Sequence, residues 1–240
     1  MIISGKNSVY EALVAGRTIN KVMLDSAKMD DYSKKIVDLC KKNHVRFDFV
    51  QRKTLDKVAD HHQGIVAEIT DFCYCDVDEI LASKKPQGSF IVILDGVQDP
   101  HNFGSIIRVC ECAGVDGIII ESRRSCAVNE TVFKTSCGAI NHMKIAKVGN
   151  INDQIKKLKE KGIWVFCAEA DGEDIYQANL TGNIALVMGS EGFGVGALTR
   201  KLCDGTLSLP MFGKVNSLNV STATSAMVYE VVRQRQNVAK

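Results

Sequence analysis

Three stretches of this chain gather short amides, hydroxyls and isolated charges directly after apolar runs. The first, LDGVQDPHNFGSIIR, holds Asn102 where a helix N-cap is wanted and Arg108 one to two turns further on. Ile106, Ile107 and Val109 surround that arginine, a setting too apolar for a solvated face. Arg108 therefore reads as half of an internal salt bridge or as a clamp on an anion such as phosphate. The second stretch, VMGSEGFGVGAL, is a strand, a glycine loop and a helix start. Its Gly192, Gly194 and Ala197 satisfy the G-x-G-x-x-A pattern of dinucleotide sites. Glu191 lies inside that loop, where it would repel a pyrophosphate, and the next strand, TLSLPM, ends without the acid that should hold a ribose. The pattern favours a ligand without phosphates. The third stretch, FGKVNSLNVSTATS, offers Ser217 and Asn219 as donors and acceptors beside Leu209, Met211 and Leu218 as an apolar wall. Amides for a base edge and a slot for its faces describe an adenine pocket. Asn219 or Ser221 also suits the cap of the last helix.

Ligands of an open parallel sheet sit beyond the carboxyl ends of its strands, so these loops need such a sheet behind them. From Phe90 the pattern supplies one. FIVILDGV is apolar throughout, as in a strand buried on both faces, and GSIIRVCECAG is a helix closed by Gly114. DGIIIES, MKIAKV, IWVFCAEA, NIALVMG and TLSLPM are further strands. Between them lie a short helix near Thr131–Ser136 and the helices INDQIKKLKEKG and GALTRKLCD. A final helix over 221–236 carries an apolar stripe, Ala223, Met227, Val228, Val231 and Val232, which is either core or a partner surface. Residues 1–70 form a smaller α/β unit: SVYEALVAG as a helix capped by Asn7 or Ser8, then NKVMLD, DDYSKKIVDLCKKN, VRFDFV, TLDKVAD and IVAEIT in alternation. Residues 71–89, with Pro86 and a short helix, read as the linker, and 90–240 as the second domain.

Bulk properties narrow the class. At 240 residues, 45% hydrophobic and 24% charged, the chain can bury one large core or two small ones. No apolar run reaches the roughly 18 residues of a membrane helix, and MIISGKNSVYEAL lacks a signal-peptide layout, which places the protein in the cytosol. Nine cysteines, an odd number without C-x-x-C pairs, suit thiols packed in a reducing compartment, and no structural metal is expected. A net charge of +2 excludes a general nucleic-acid coat but leaves room for local basic patches, at Lys34, Lys35, Lys41, Lys42, Arg46, Arg52 and Lys53 and at Arg123–Arg124.

Taken together, LDGVQDPHNFGSIIR, IALVMGSEGFG and LSLPMFGKVNSLNVSTATS, in that order, resemble the SpoU (TrmH) family of RNA 2′-O-ribose methyltransferases within the SPOUT superfamily. The N-terminal unit, with HHQGIVAEI, resembles the ribosomal-protein-like RNA-binding domain of the 23S rRNA guanosine-2′-O-methyltransferase branch. The resemblance implies a parallel-sheet domain with a deep trefoil knot, S-adenosyl-L-methionine as cofactor, RNA as substrate and a homodimer formed through the C-terminal helix, with no membrane. It implies that Gly189, Leu209 and Leu218 line the cofactor with Val187, Met211 and Ser217 nearby. Asn102, Arg108, Glu191 and Asn219 fall on the family's catalytic motifs, and Ser217 would help them orient the ribose. The rival readings are a tRNA ribose or resistance-type rRNA methyltransferase and, outside the class, a dinucleotide-binding oxidoreductase.

Overall fold

The structure, a computed structural model, describes residues 1–83 and 85–238, and Lys84 of the expected linker and residues 239–240 lie outside the described residues. It divides into two compact units: Met1–Cys73 with Val128–His142, and Tyr74–Ala127 with Met143–Lys240.

The first unit runs β1 (Ile2–Ser4), α1 (Lys6–Val14), β2 (Ile19–Asp25), α2 (Asp31–Lys42), β3 (Phe47–Val50), α3 (Arg52–Asp56) and β4 (Ile65–Ile69). Its sheet has the order β1-β4-β2-β3, with β2 and β3 parallel and the other pairs antiparallel. Asp30 caps α2, accepting from Ser33 N at 2.9 Å. The start of α1 differs from the sequence reading. The helix begins two residues before Ser8, Gly5 takes the N-cap at φ 92°, and Asn7 Oδ1 instead accepts from the Tyr32 hydroxyl.

The second unit opens with α4 (Val77–Leu81), then β5 (Phe90–Asp95), α5 (Pro100–Cys112) and β6 (Gly117–Glu121). The chain next contributes α6 (Glu130–Thr135) and a 3₁₀ turn, Ala139–Asn141, to the first unit. It returns as β7 (Ile145–Val148), α7 (Ile151–Glu160), β8 (Trp164–Asp174), β9 (Ile184–Gly189), α8 (Ala197–Leu202), β10 (Gly205–Ser208) and α9 (Val220–Val238). All six strands of its sheet are parallel, in the order β10-β8-β9-β5-β6-β7. β5 and β6 are buried at every position, as continuous apolar runs require when helices cover both faces.

Two parts of the expected domain layout take a different form. Residues 74–83 of the expected linker are not free: Cys75 bridges to Ala146, and Ile80, fully buried, joins the core of Ile91, Ile119 and Ile155. Residues 128–142, expected within the second domain, are held by the first unit. The Arg17 guanidinium lies 4.7 Å from the Phe72 ring centroid and 5.4 Å from that of Phe133, and its Nε donates to Asn141 Oδ1 at 2.6 Å. The apolar stripe of α9 is core: Met227, Val228 and Val231 are buried within the chain itself. Ile80→Ala should therefore lower stability by about 2–5 kcal/mol, the cost of an emptied core site, read as a shifted urea midpoint. A linker side chain would change it by less than ~0.5 kcal/mol.

Candidate functional site

Strand order decides where a ligand can sit. From β5 the sheet continues through β6 and β7 on one side and through β9, β8 and β10 on the other. The reversal falls between β5 and β9, and open parallel sheets bind ligands in the crevice beyond such a switch point. The loops leaving these two neighbours meet there.

On the β5 side, the cap of α5 is Asp99 and not Asn102. Asp99 Oδ2 accepts from Asn102 N at 2.9 Å, and Pro100 stands in the first turn, where its missing N–H costs nothing. Relieved of capping, the buried Asn102 side chain makes tertiary bonds. Its Nδ2 donates to Glu191 Oε1 at 3.1 Å. Asn219 closes a triangle, donating from Nδ2 to Asn102 Oδ1 at 2.9 Å and to Glu191 Oε1 at 2.5 Å. Asn219 Oδ1 meanwhile accepts from Ser221 N at 2.9 Å and caps α9. Three predicted site residues, from the loops after β5, β9 and β10, are thus in direct contact.

The glycines of the second loop serve close approach. Ser190 and Gly194 exchange backbone hydrogen bonds at 3.1 and 3.0 Å, closing a tight hairpin that carries Glu191. A Cβ on Gly189 would collide with the backbone of Gly194 and Val195. One on Gly194 would meet Glu169 Oε1 at 2.6 Å. Helix α8 has only six residues, and Glu191 stands in the loop ahead of it. This is a poor pyrophosphate cradle.

Two cavities flank the triangle. The larger, about 610 Å³, is lined by the predicted Gly189, Leu209, Met211, Ser217 and Leu218, with Glu191 and Asn219 at one end. The smaller, about 410 Å³, contains Asn102, Glu191 and Phe193 on its wall. Two predicted residues stay outside both. Val187 is fully buried in the sheet core. Arg108 is exposed, about 240° around α5 from Asn102, and lines neither cavity. Its apolar neighbours, Ile106 and Ile107, are buried, while Arg108 itself occupies the outer stripe of the helix.

Sequence reasoning missed Glu169. The pairing of β10 with β8 jumps from Thr206↔Cys167 to Leu207↔Glu173, which extrudes residues 168–172 from the ladder. Gly172 allows this, since a Cβ there would meet the Leu207 backbone at 2.6 Å. Glu169, on the extruded segment, lines the larger cavity and accepts from Val195 N at 2.5 Å. The available signal was a lone acid next to the carboxyl end of the apolar strand IWVFCAEA.

Residues 89–229 match the model of the SpoU rRNA Methylase family, and residues 2–75 that of the RNA 2′-O ribose methyltransferase substrate binding domain. Two relatives placed in the TrmH family of tRNA/rRNA methyltransferases cover nearly the whole chain. One, from Staphylococcus haemolyticus, is 42% identical over 99% of this chain and 97% of its own. The other, YacO of Bacillus subtilis, is 39% identical over the same shares. The SpoU methyltransferase AviRb from Streptomyces viridochromogenes, solved in complex with AdoMet, is similar in fold: TM-score 0.83, 22% identity, 98% of this chain and 90% of that one. The A. aeolicus TrmH/SpoU tRNA modifying enzyme is 29% identical over 67% of this chain and 81% of its own, with TM-score 0.59.

The double duty of Asn219 can be separated by substitution. Asn219→Ala removes the cap and should cost about 1–2 kcal/mol. Asn219→Asp keeps a cap oxygen but sets a second carboxylate against Glu191. Like charges disfavour ionisation in the folded protein, so this variant should lose stability relative to the parent as pH rises from 5 to 8. Urea unfolding at the two pH values checks the sign.

Proposed function

Because this chain belongs to the SpoU methylase family, we propose that it transfers a methyl group from S-adenosyl-L-methionine to a ribose 2′-hydroxyl of RNA. Membership makes it an RNA methyltransferase with S-adenosylmethionine as cofactor. The observation that carries the ribose reading is the Asn102–Glu191–Asn219 triangle standing where two cavities meet.

The larger cavity suits that cofactor. Leu209, Met211 and Leu218 give an apolar slot for adenine faces, and Ser217 and Asn216 give edge partners. The carboxylates of Glu169 and Glu191 suit a cationic ligand and oppose a diphosphate. A dinucleotide-dependent oxidoreductase is disfavoured on the same ground. When bound, the cofactor supplies a sulfonium methyl open to in-line displacement by an oxygen.

The protein's own residues must then align a hydroxyl and remove its proton, and alignment alone can contribute about 7–11 kcal/mol. Glu191 is the titratable side chain common to both cavities among the described residues, and on that ground we assign it the acceptance of that proton. The amides of Asn102 and Asn219 fix its orientation. Arg108 is unsuited to be the base: a guanidinium has five donors, no acceptor and a pKa above about 12. We assign it to the phosphate beside the target nucleotide. Since it lines neither cavity of its own chain, a second copy is the route by which it would reach a ribose. This supports a homodimer through the C-terminal unit, in which Phe212 and Val215, both exposed, would be covered.

We read the return of the chain from β10, at the sheet edge, to Asn219 beside the β5 and β9 loops as the knotted threading of the SPOUT superfamily. The first unit, Met1–Cys73 with Val128–His142, serves as the RNA-binding domain. A guanosine of 23S rRNA is the favoured target on its HHQGIVAEI resemblance, and the nine free cysteines suit the cytoplasm. Full-length protein with labelled cofactor should methylate undermethylated 23S rRNA and leave total tRNA unlabelled; the reverse would assign it to tRNA. Arg108→Ala should lose turnover by at least ~100-fold while keeping affinity for S-adenosylhomocysteine. A near-normal Arg108→Lys would contradict the bidentate clamp.

A further inference from the structure

The smaller cavity has been given no occupant so far, and Phe193 no role. Phe193 is 94% exposed, an extreme position for a large apolar ring, and it is the one aromatic side chain lining that cavity among the described residues. The hairpin that presents it is closed by the mutual Ser190–Gly194 bonds. The cavity shares Ser190, Glu191, Gly194 and Val220 with the larger one, so the two lie back to back across the triangle. A ribose held at Glu191 with the cofactor on one side leaves the smaller cavity for what the ribose carries.

Charge decides which part that is. The lining holds the carboxylates of Asp95, Asp99 and Glu191 against the single cation Arg124. Arg124 is already engaged: its Nε donates to Glu121 Oε2 at 2.6 Å and its Nη2 stands 3.9 Å from Asp95 Oδ1. Asp95 Oδ2 in turn accepts from Gly196 N at 2.9 Å. A phosphate would be repelled from this lining, whereas an uncharged ring bearing N–H groups would find acceptors. Asp99 is exposed and commits Oδ2 to Asn102 N.

Resting on the ribose-methyltransferase reading, we propose that this cavity receives the base of the target nucleotide, turned out of its stack onto the Phe193 ring, with an N–H-bearing edge against Asp99. Extruded bases in RNA sites are held by such stacking and edge contacts, and a ring can be stacked whatever the base. Phe193 and Asp99 are then substrate-positioning residues, and the phosphates stay outside, toward solvent.

The test uses full-length protein, undermethylated total RNA and labelled cofactor for steady-state rates, and calorimetry with S-adenosylhomocysteine for the other cavity. Phe193→Ala should raise the KM for RNA roughly ten- to hundredfold, the scale of a lost base–aromatic stack. S-adenosylhomocysteine affinity should be unchanged, and Phe193→Tyr should restore the KM. Asp99→Asn keeps an equally good helix cap, so Tm should hold while kcat/KM for RNA falls roughly tenfold or more. An unaltered KM in Phe193→Ala, or a matching loss of S-adenosylhomocysteine binding, would overturn the base pocket while leaving the methyltransferase reading intact. Absence of transfer to any RNA by the parent protein would overturn that reading, and this one with it.

Discussion

A single oxygen, Glu191 Oε1, accepts from the amides of Asn102, 89 positions earlier, and Asn219, 28 positions later. Loops are the least ordered parts of a fold, and fixing one residue of backbone costs on the order of 1–2 kcal/mol. Three loops are therefore held together by very few bonds, and each bond depends on local geometry set elsewhere. Asp99 must cap α5 so that Asn102 is available. Gly189 and Gly194 must lack side chains so that the hairpin can close. Asn219 must start α9 where its nitrogen still reaches across. Both cavities form around that junction: Glu191 lines both, Asn219 the larger and Asn102 the smaller.

Much of this architecture was visible in the pattern of residues. Strands buried on both faces announce themselves as unbroken apolar runs, and FIVILDGV and NIALVMG became neighbouring parallel strands. The three unusual loops follow strands of one sheet, so their convergence was implied by the rule that ligands lie beyond carboxyl ends. The failures have local causes. Asp99 and Asn102 are both good caps, and only Pro100, which prefers the first turn, separates them. In residues 74–83 the spacing of Val77, Ile80 and Leu81 marks a buried helix face, outweighed in the reading by Pro86 and Gly88. Val187 lies within a strand whose two faces are both covered, so it has no surface to offer a ligand. Nothing in a local pattern says which of two sheets a short helix packs on, and residues 128–142 were assigned by order in the chain alone.

Charge placement separates this site from a nucleotide-phosphate site with the same glycine spelling. Glycines that cradle phosphate leave backbone N–H groups pointing at an anion. Here the N–H groups of Val195 and Gly196 are taken by Glu169 and Asp95. The same carboxylates that consume those donors line the cavities. A glycine pattern therefore specifies how near two backbones come, and the charged residues among the glycines specify what may enter.

The passage of residues 128–142 into the first unit means that the polypeptide crosses between units three times. Phe133 and Val132 are wholly buried there, with Arg17 over the Phe133 ring. A recombination event that swapped only the leading seventy-odd residues for those of a relative would strand these two side chains against a foreign surface. Inheritance of a new RNA-reading module thus demands a matched pair of splices, and the two halves are bound to diversify as one gene.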